Sequence, residues 1–249
     1  MKKLSLFLLM TVIFSLFTFS VSYDEFVFFN DFDTGFEVAN ILDKNVLLIF
    51  TSTNCPYCTQ LKEDVIASEE VMNFLINNYI LIEMHADSDK TGHFDVENAK
   101  FDLNGKKFTY QELFYLFDVK GVPATYFFNK DLEFLGGFPG YLPITDYLTW
   151  LKYVETESYK KGDISTFDVE ENYNGNLQIK QLKEKDLQKI EANLPDLLSY
   201  YSFGKFKEMN LITINPFRYY IISDASVNKV QKYLDGLDKK LLYNIYVLE

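Results

Sequence analysis

The chain reads LLIFTSTNCPYC from Leu47 to Cys58, and this stretch holds both of its cysteines. Four apolar residues open the stretch and predict a buried strand. Cys55 and Cys58 stand three positions apart, with a proline directly after the first. Because proline suits the first position of a helix, we expect Cys55 to lie where a helix begins. The order of strand, cysteine pair and helix is the pattern on which the fold assignment depends.

A cysteine at the start of a helix is suited to thiol chemistry. The thiolate is the reacting species, and unpaired backbone N–H groups at the positive end of the helix dipole stabilise it. Cys58, one turn later, is expected on the inner face of the helix with Leu61 and Val65, less open to solvent than Cys55. We therefore predict that Cys55 attacks a disulfide and that Cys58 resolves the mixed disulfide.

Two other uses of the cysteine pair stay open on the sequence alone. A structural zinc site needs four ligands, and only His85 and His93 are left to complete it. Their spacing does not fit a zinc finger, and we interpret both histidines as loop or sheet-edge residues. An inert structural disulfide is the second alternative, although closing so short a loop stabilises a fold only slightly.

The first 22 residues carry an export pattern. Lys2 and Lys3 precede an apolar stretch from Leu4 to Val21, and Ser20-Val21-Ser22 is a small-residue cleavage site. We expect residues 1–22 to be a signal peptide that sends the protein to the periplasm or cell envelope, where disulfides persist. The apolar stretch is also long enough to stay uncleaved as a membrane anchor.

The charge balance argues against nucleic acid as a partner. With 24 basic and 36 acidic residues, the formal net charge is −12, and phosphate backbones repel such a surface. Loss of the two lysines in the signal peptide brings the charge to −14. A surplus of acidic side chains otherwise indicates only a solvated surface.

Hydrophobic periodicity and turn signals predict the elements around the cysteines. An Asn-Gly pair is typical of a type I′ hairpin turn, and Thr109 with Glu112 predicts a capping box. Gly136-Gly137 indicates a bulge or a close contact at a strand end. The predicted elements are a helix at 36–42, a strand at 46–50, the cysteine helix, a helix capped by Ser68, a strand at 79–84, a loop at 88–98, a hairpin pairing 100–103 with 106–109 about Asn104-Gly105, a helix carrying Leu113, Leu116 and Phe117, strands at 125–128 and 132–135, and a helix at 144–154.

Four short segments of this region form a recognisable set. They are Cys55-Pro56-Tyr57-Cys58, Asn104-Gly105-Lys106, Gly121-Val122-Pro123-Ala124-Thr125 and Pro139-Gly140-Tyr141-Leu142-Pro143. Through them, residues 33–155 resemble exported, thioredoxin-like thiol-disulfide oxidoreductases of bacteria, particularly the subgroup linked to periplasmic sulfur oxidation. The resemblance covers about half of the chain. It implies a thioredoxin-like α/β domain, which we assign to residues 23–155.

The resemblance also implies a substrate-binding surface beside the cysteines. In the family, the proline that matches Pro123 follows a cis peptide bond and lies against the cysteine pair. Such a bond turns the backbone sharply and exposes the peptide groups of Val122 to an extended substrate. An ordinary trans proline at a strand start is the alternative. Pro56 and Tyr57, between the cysteines, are expected near solvent and in reach of a substrate.

One position departs from the family pattern. Thioredoxins carry a buried aspartate six residues before the first cysteine, where it accepts the proton of the second thiol, and this chain has Ile49 there. Glu83, in the next predicted strand, is our candidate for that role, since a carboxylate in an apolar setting is a better base. The alternative is that Glu83 faces solvent or pairs with a lysine.

A polar stretch at residues 156–175 predicts a linker to a second domain at 176–249. The order β-α-β-β-α-β favours a small α+β domain of ferredoxin-like type. We expect it to recruit partners or to pack against the first domain. The predicted elements are a strand at 177–179, helical stretches through 182–201 broken at Leu194-Pro195, strands at 211–214 and 217–222, a helix capped by Ser223 or Asp224, and a strand at 242–248.

The resulting hypothesis is an exported thiol-disulfide oxidoreductase that exchanges disulfides with protein substrates. Its partners would be protein thiols or disulfides and a membrane-bound or soluble redox partner. The chemistry needs no metal and no organic cofactor. The Pro-Tyr dipeptide does not decide whether substrates are reduced, oxidised or isomerised. The alternative is a non-catalytic, thioredoxin-fold binding module that acts through its C-terminal domain.

Overall fold

The chain is described from a computed structural model. The signal segment at 1–22 and the predicted Asn104-Gly105 turn lie outside the described residues. Within the described ranges, no helix is long and apolar enough to cross a bilayer. The structure describes residues 29, 31–86, 91–93, 107–168, 179–209, 218–237 and 244–249.

The elements fall into an N-terminal and a C-terminal group. The first group is α1 (Phe32–Leu42), β1 (Asn45–Thr51), α2 (Pro56–Gln60), a π-helical turn (Leu61–Ile66), α3 (Glu69–Asn78), β2 (Tyr79–His85), β3 (Thr91–His93), β4 (Lys107–Thr109), α4 (Tyr110–Leu116), β5 (Ala124–Phe128), β6 (Phe134–Pro139) and α5 (Ile144–Glu155). The second group is β7 (Lys180–Leu182), α6 (Glu184–Asn193), β8 (Leu198–Tyr201), α7 (Phe203–Glu208), β9 (Tyr219–Ile222), α8 (Val227–Asp235) and β10 (Asn244–Leu248).

The first sheet has the strand order β2-β1-β5-β6, with β1 parallel to β2 and antiparallel to β5. All seven residues of β1 are buried. Since side chains alternate between the faces of a strand, Leu48 and Phe50 pack into one core with α1 and α4. Leu47 and Ile49 pack into a second core with the π-helical turn, α3 and α5. The sheet is therefore covered on both faces.

Most predicted elements of this region are confirmed, including the buried strands and the helices at their predicted places. The capping box is also confirmed: Thr109 Oγ1 accepts a hydrogen bond from the Glu112 amide at 3.1 Å, and the Glu112 carboxylate accepts one from the Thr109 amide at 2.7 Å. Ser68 is the N-cap residue of α3 as predicted, but its side chain makes no capping hydrogen bond. Its hydroxyl donates to the carbonyl of Val65 at 2.6 Å, because that carbonyl lies at the end of the preceding turn.

Two predicted boundaries need correction. The polar composition of 88–98 predicts a loop, but Thr91–His93 is a strand that pairs antiparallel with β4. Three residues are too few for periodicity to reveal a strand. The strand predicted at 132–135 is shifted to Phe134–Pro139. Leu132 lies in a turn with a positive φ of 57°, which the side chain of Asn129 stabilises by accepting a hydrogen bond from the Glu133 amide at 2.8 Å.

The first half of the predicted linker runs along the N-terminal group. It forms two 3₁₀ turns, Ser158–Lys160 and Ile164–Thr166. Tyr159, Ile164 and Phe167 pack against the second core. The remainder, from residue 169 to 178, lies outside the described residues.

The C-terminal sheet is parallel throughout, with the order β7-β10-β9-β8. The ferredoxin-like α+β arrangement is therefore wrong, and the region is α/β. A helix follows β7, β8 and β9 in turn, so each strand runs in the same direction as the one before it. The sequence pattern predicts helix through Tyr201, whereas Leu198–Tyr201 is the strand β8, and the predicted topology is wrong for this reason. The strand predicted at 211–214 lies outside the described residues.

The two groups of elements share a core. In α1, Phe36 packs edge-on against Phe128 of β5, with ring centroids 4.9 Å apart. The same cluster of buried side chains continues into the C-terminal sheet and its helix α6. The C-terminal residues in this cluster are Leu182, Leu187, Ile190, Leu198, Tyr219, Ile221 and Tyr246. The C-terminal group is thus packed on the first sheet through α1, while α7 and α8 cover its other face.

Candidate active site

The cysteine pair lies where β1 passes into α2. Asn54 adopts a positive φ of 58°, a conformation that asparagine tolerates better than most residues. Cys55 is the N-cap of α2, and Pro56 occupies the first helical position. Cys55 and Cys58 are joined in a disulfide. The predicted helix start at Cys55 is confirmed.

The two sulfurs differ in exposure. Cys58 is 3% exposed and belongs to the helix interior, whereas Cys55 is only partly buried. The amide of Cys58 donates to Cys55 Sγ at 3.1 Å, and the amide of Thr59 donates to the Cys55 carbonyl at 3.2 Å. One backbone donor at the helix start, the Cys58 amide, thus points at the outer sulfur. Between the cysteines, Tyr57 is 64% exposed.

A cis peptide bond joins Val122 to Pro123, so the trans alternative is wrong. Pro123 is buried, and its carbonyl accepts a hydrogen bond from the Gly140 amide at 2.7 Å. The Val122 carbonyl oxygen lies 3.7 Å from Cys55 Sγ. This is a contact without a hydrogen bond, since a disulfide sulfur carries no hydrogen. The backbone before the proline therefore borders the outer sulfur.

A cavity of about 580 Å³ opens beside the disulfide. Its wall combines the ends of β1 and β2 with the loop before α2, α2 itself and the π-helical turn. Most of the residues that line it carry polar side chains. The lining residues are Thr51, Ser52, Asn54, Cys55, Pro56, Cys58, Thr59, Lys62 and His85.

Glu83 lies behind this wall, with its side chain 6% exposed. Its Oε1 accepts a hydrogen bond from Thr51 Oγ1 at 2.9 Å and forms an ion pair with Lys62 Nζ. The ring of His85 is close on the same side: Nε2 is 3.1 Å from Glu83 Oε1, and Nδ1 is 3.2 Å from Thr51 Oγ1. Three residues of the cavity wall therefore converge on one buried carboxylate.

Local geometry explains the convergence. Glu83 and His85 are two positions apart in β2 and so share one face of the sheet. In the parallel pairing of β1 with β2, Thr51 is the register partner of His85. Lys62 is four residues beyond Cys58, which places both on the same helix face. The π-helical turn, closed by the bond from the Ala67 amide to the Lys62 carbonyl at 3.0 Å, begins at this point.

The structure places Glu83 in the buried setting and also gives it a lysine partner, so features of both sequence-based alternatives are present. A buried carboxylate is stable only when it is paired and hydrogen-bonded, and Lys62 with Thr51 meets that need. The role of Glu83 as a proton acceptor stays a prediction.

Sequence reasoning did not assign Thr51 or Lys62 to the site, and it treated His85 as a sheet-edge residue. His85 does lie at the end of the edge strand β2. The spacings of Cys58 to Lys62 and of Glu83 to His85 were available as signals for a shared face. Thr51 carries no such signal, because its position depends on the register between β1 and β2.

The zinc alternative assigned both cysteines and both histidines to one ion. In the structure the cysteines are bonded to each other, His85 contacts Thr51 and Glu83, and His93 lies in β3. In the part of the chain that is described, no group of three or more histidine, cysteine, aspartate or glutamate side chains is arranged to hold a metal ion.

Comparison with known proteins identifies the N-terminal group. Residues 32–155 match the family model described as a thioredoxin-like domain. Similar solved structures include a thioredoxin-fold protein from Helicobacter pylori (21% identity, 58% of this chain and 85% of that chain, TM-score 0.46) and a thioredoxin from Thermus thermophilus (19%, 57% and 97%, 0.42). A third is the C-terminal domain of DsbD from Neisseria meningitidis (13%, 49% and 89%, 0.36). No curated protein matches the chain.

Proposed function

Since residues 32–155 form a thioredoxin-like domain with a Cys-X-X-Cys disulfide, we propose that the protein is a thiol-disulfide oxidoreductase acting on protein substrates. The observation that carries the proposal is the position of Cys55: it begins a helix, is the more exposed sulfur, and borders the cis Val122-Pro123 bond. This arrangement gives a nucleophilic sulfur and an adjacent backbone edge for a peptide.

In the reduced protein, the Cys55 thiolate attacks one sulfur of a substrate disulfide. A Cys55–substrate disulfide forms, the substrate S–S bond breaks, and the departing substrate sulfur leaves as a thiolate that takes a proton from solvent. The helix start supports this step, because the Cys58 amide that now donates to Cys55 Sγ would stabilise the negative charge of a thiolate there.

Substrate binding is assigned to residues around the outer sulfur. The Val122 backbone would pair with an extended peptide, and Pro123 fixes the direction of that backbone. Tyr57 and Pro56 are exposed beside Cys55, where an aromatic ring offers contact area to a peptide. No metal or organic cofactor takes part in this exchange.

Resolution requires the thiol of Cys58. Cys58 gives up its proton, its sulfur attacks Cys55 in the mixed disulfide, the Cys55–Cys58 bond forms, and the reduced substrate leaves with the two electrons that the cysteines supplied. We assign acceptance of the proton to Glu83, whose contacts Thr51 and Lys62 line the cavity together with Cys58. The reverse sequence oxidises a substrate dithiol, and the partner's potential decides the direction.

An exported location is part of the proposal. The export pattern at residues 1–22 supports it, as does the resemblance to the periplasmic sulfur-oxidation subgroup through Pro139-Gly140-Tyr141-Leu142-Pro143. In the periplasm or cell envelope, the pair would exchange with protein thiols or disulfides. A membrane-bound or soluble redox partner would then return it to its starting state.

Covalent trapping tests the proposal. Cys58→Ser leaves the attacking sulfur but removes the resolving one, so mixed disulfides with substrate proteins should accumulate and be visible on non-reducing gels. Cys55→Ser is the matched control and should trap little, because Cys58 is buried. Equal trapping by both variants would refute the assigned roles, and an unreactive Cys55 would favour a non-catalytic binding module.

A further inference from the structure

Glu83, the buried acid of the site, contacts one side chain that is well exposed to water. Glu83 is surrounded by Thr51, Lys62 and His85, which all line the cavity next to Cys58. Of the two ionisable neighbours, the Lys62 side chain is 18% exposed and that of His85 is 42% exposed. His85 is therefore the neighbour with the greatest access to water.

Each resolution step moves the Cys58 proton to the buried acceptor, and each re-reduction of the disulfide requires a proton for Cys58. The Glu83 side chain, 6% exposed, exchanges little with bulk water directly, so both transfers are served by a neighbour that reaches solvent. Of the three neighbours, a lysine ammonium has donors only, and a hydroxyl passes a proton only by giving up its own. An imidazole can accept at one nitrogen and release from the other, and it does so readily near neutral pH.

The ring geometry fits that use. Nε2 of His85 lies 3.1 Å from Glu83 Oε1, and Nδ1 lies 3.2 Å from the hydroxyl of Thr51. The ring thus touches the buried carboxylate while nearly half of its surface meets solvent and the cavity. Among the described residues, the charged groups facing it are Glu83 on its own strand and Lys62 on the π-helical turn.

We propose that His85 is a positioning residue that acts through Glu83 and is the route by which the Cys58 proton leaves the site. While the Cys55–Cys58 bond forms and the Cys55–substrate bond breaks, the Cys58 thiol gives its proton to the Thr51 hydroxyl on the cavity wall, and that hydroxyl passes its own proton to the Glu83 carboxylate. The neutral acid passes the proton to one nitrogen of His85, and the ring returns a proton to bulk water. The carboxylate and the neutral imidazole are then restored. This inference rests on the proposed function and on Glu83 as acceptor.

A two-step thiol probe separates the relevant events. Reduced protein is mixed in a stopped-flow instrument with the aromatic disulfide dithiobis(nitrobenzoate). Attack by Cys55 releases one coloured thiolate, and resolution by Cys58 releases a second. Absence of the first release would contradict the proposed function itself, whereas a change confined to the second release reports on the proton route.

We expect His85→Gln to leave the first release unchanged and to slow the second about tenfold, less than loss of a direct acid–base group, which costs about 100-fold or more. The pH dependence of the second release should also change, since the variant has no imidazole to exchange a proton with Glu83. Imidazole added to His85→Ala should restore the rate, because the cavity beside the ring can admit it.

The chain's other histidine supplies the control. His93 lies in β3, and His93→Gln should match the unaltered protein in both releases. The proposal is overturned if His85→Gln keeps the normal rate and pH profile of the second release. It is equally overturned if the rate falls but imidazole does not restore it and the pH profile keeps its shape, since His85 would then only support the fold.

Discussion

Ile49 and Glu83 are register partners in the parallel pair of β1 and β2. Ile49 occupies the position where thioredoxins carry a buried aspartate, and its side chain here is part of the second core. Because parallel register partners in adjacent strands face the same side of a sheet, an acid on β2 reaches the same region as an acid on β1. Glu83 therefore lies on the same face of the sheet as Ile49, and its role as a proton acceptor stays a prediction.

Replacement of Glu83 tests its role at the scale of one residue. Glu83→Gln keeps the shape of the side chain but removes the charge that pairs with Lys62. We expect resolution by Cys58 to slow by about 100-fold, the size of a lost acid–base group, while attack by Cys55 is unchanged. The two-step release of the aromatic thiolate measures both rates.

Glu63→Gln provides the control for this experiment, because Glu63 is exposed on the same π-helical turn. It should leave both rates as they are. A resolution rate that Glu83→Gln leaves unaltered across the pH range would remove Glu83 from the mechanism. It would also remove the basis of the His85 route.

Elements whose stabilising contacts join residues close together in the sequence could be predicted from the sequence. Thr109 and Glu112 are three residues apart, so their capping box is visible in the sequence and is confirmed. The glycine pair in β6 is also explained. A Cβ on Gly137 would lie 2.0 Å from the Thr125 carbonyl oxygen, and the register with β5 shifts next to Gly136.

Other elements depend on contacts that the sequence does not display. Leu198–Tyr201 continues an apolar pattern after a helix, and only its parallel pairing with β9 makes it a strand. The cluster at Glu83 has the same origin. Glu83 is visible in the sequence as an acid within an apolar strand, but Thr51 and Lys62 reach it through strand register and the π-helical turn.

At the scale of the whole molecule, polar contacts accompany the shared core. Lys180 of β7 donates to the carbonyl of Asp43 at 2.9 Å, where α1 ends. Lys44 is 6% exposed and donates to the Ile76 carbonyl at 2.8 Å and to the side chain of Asn244 in β10. The C-terminal group therefore binds the segment that leads into β1 and onward to the cysteines.

The pH dependence of stability follows from Lys44. Burial, with a further effect of the Lys180 charge, lowers the pKa of Lys44 to about 7. In the unfolded chain Lys44 has its ordinary pKa of 10.5. Between these two pKa values the unfolded chain binds more protons than the folded chain, so the free energy of unfolding should rise by about 1 to 3 kcal/mol as the pH rises from about 7 to 9. Denaturant titrations at both pH values measure this gain.

Lys44→Met should abolish that rise, because the variant has no amine to deprotonate. Lys189→Met is the matched control, since Lys189 is more than half exposed in its pair with Glu37, and it should keep the rise. A stability that is flat or falls between the two pH values in the unaltered protein would contradict the account of Lys44.

The central claim is that the Cys55–Cys58 pair is redox-active, and its equilibrium with defined thiol buffers tests this most directly. The fraction of reduced pair is read from the mass added by alkylation at each buffer potential. We predict a two-electron midpoint between about −270 and −120 mV, the span from thioredoxin to DsbA. A pair that stays oxidised below about −300 mV, as structural disulfides do, would contradict the claim.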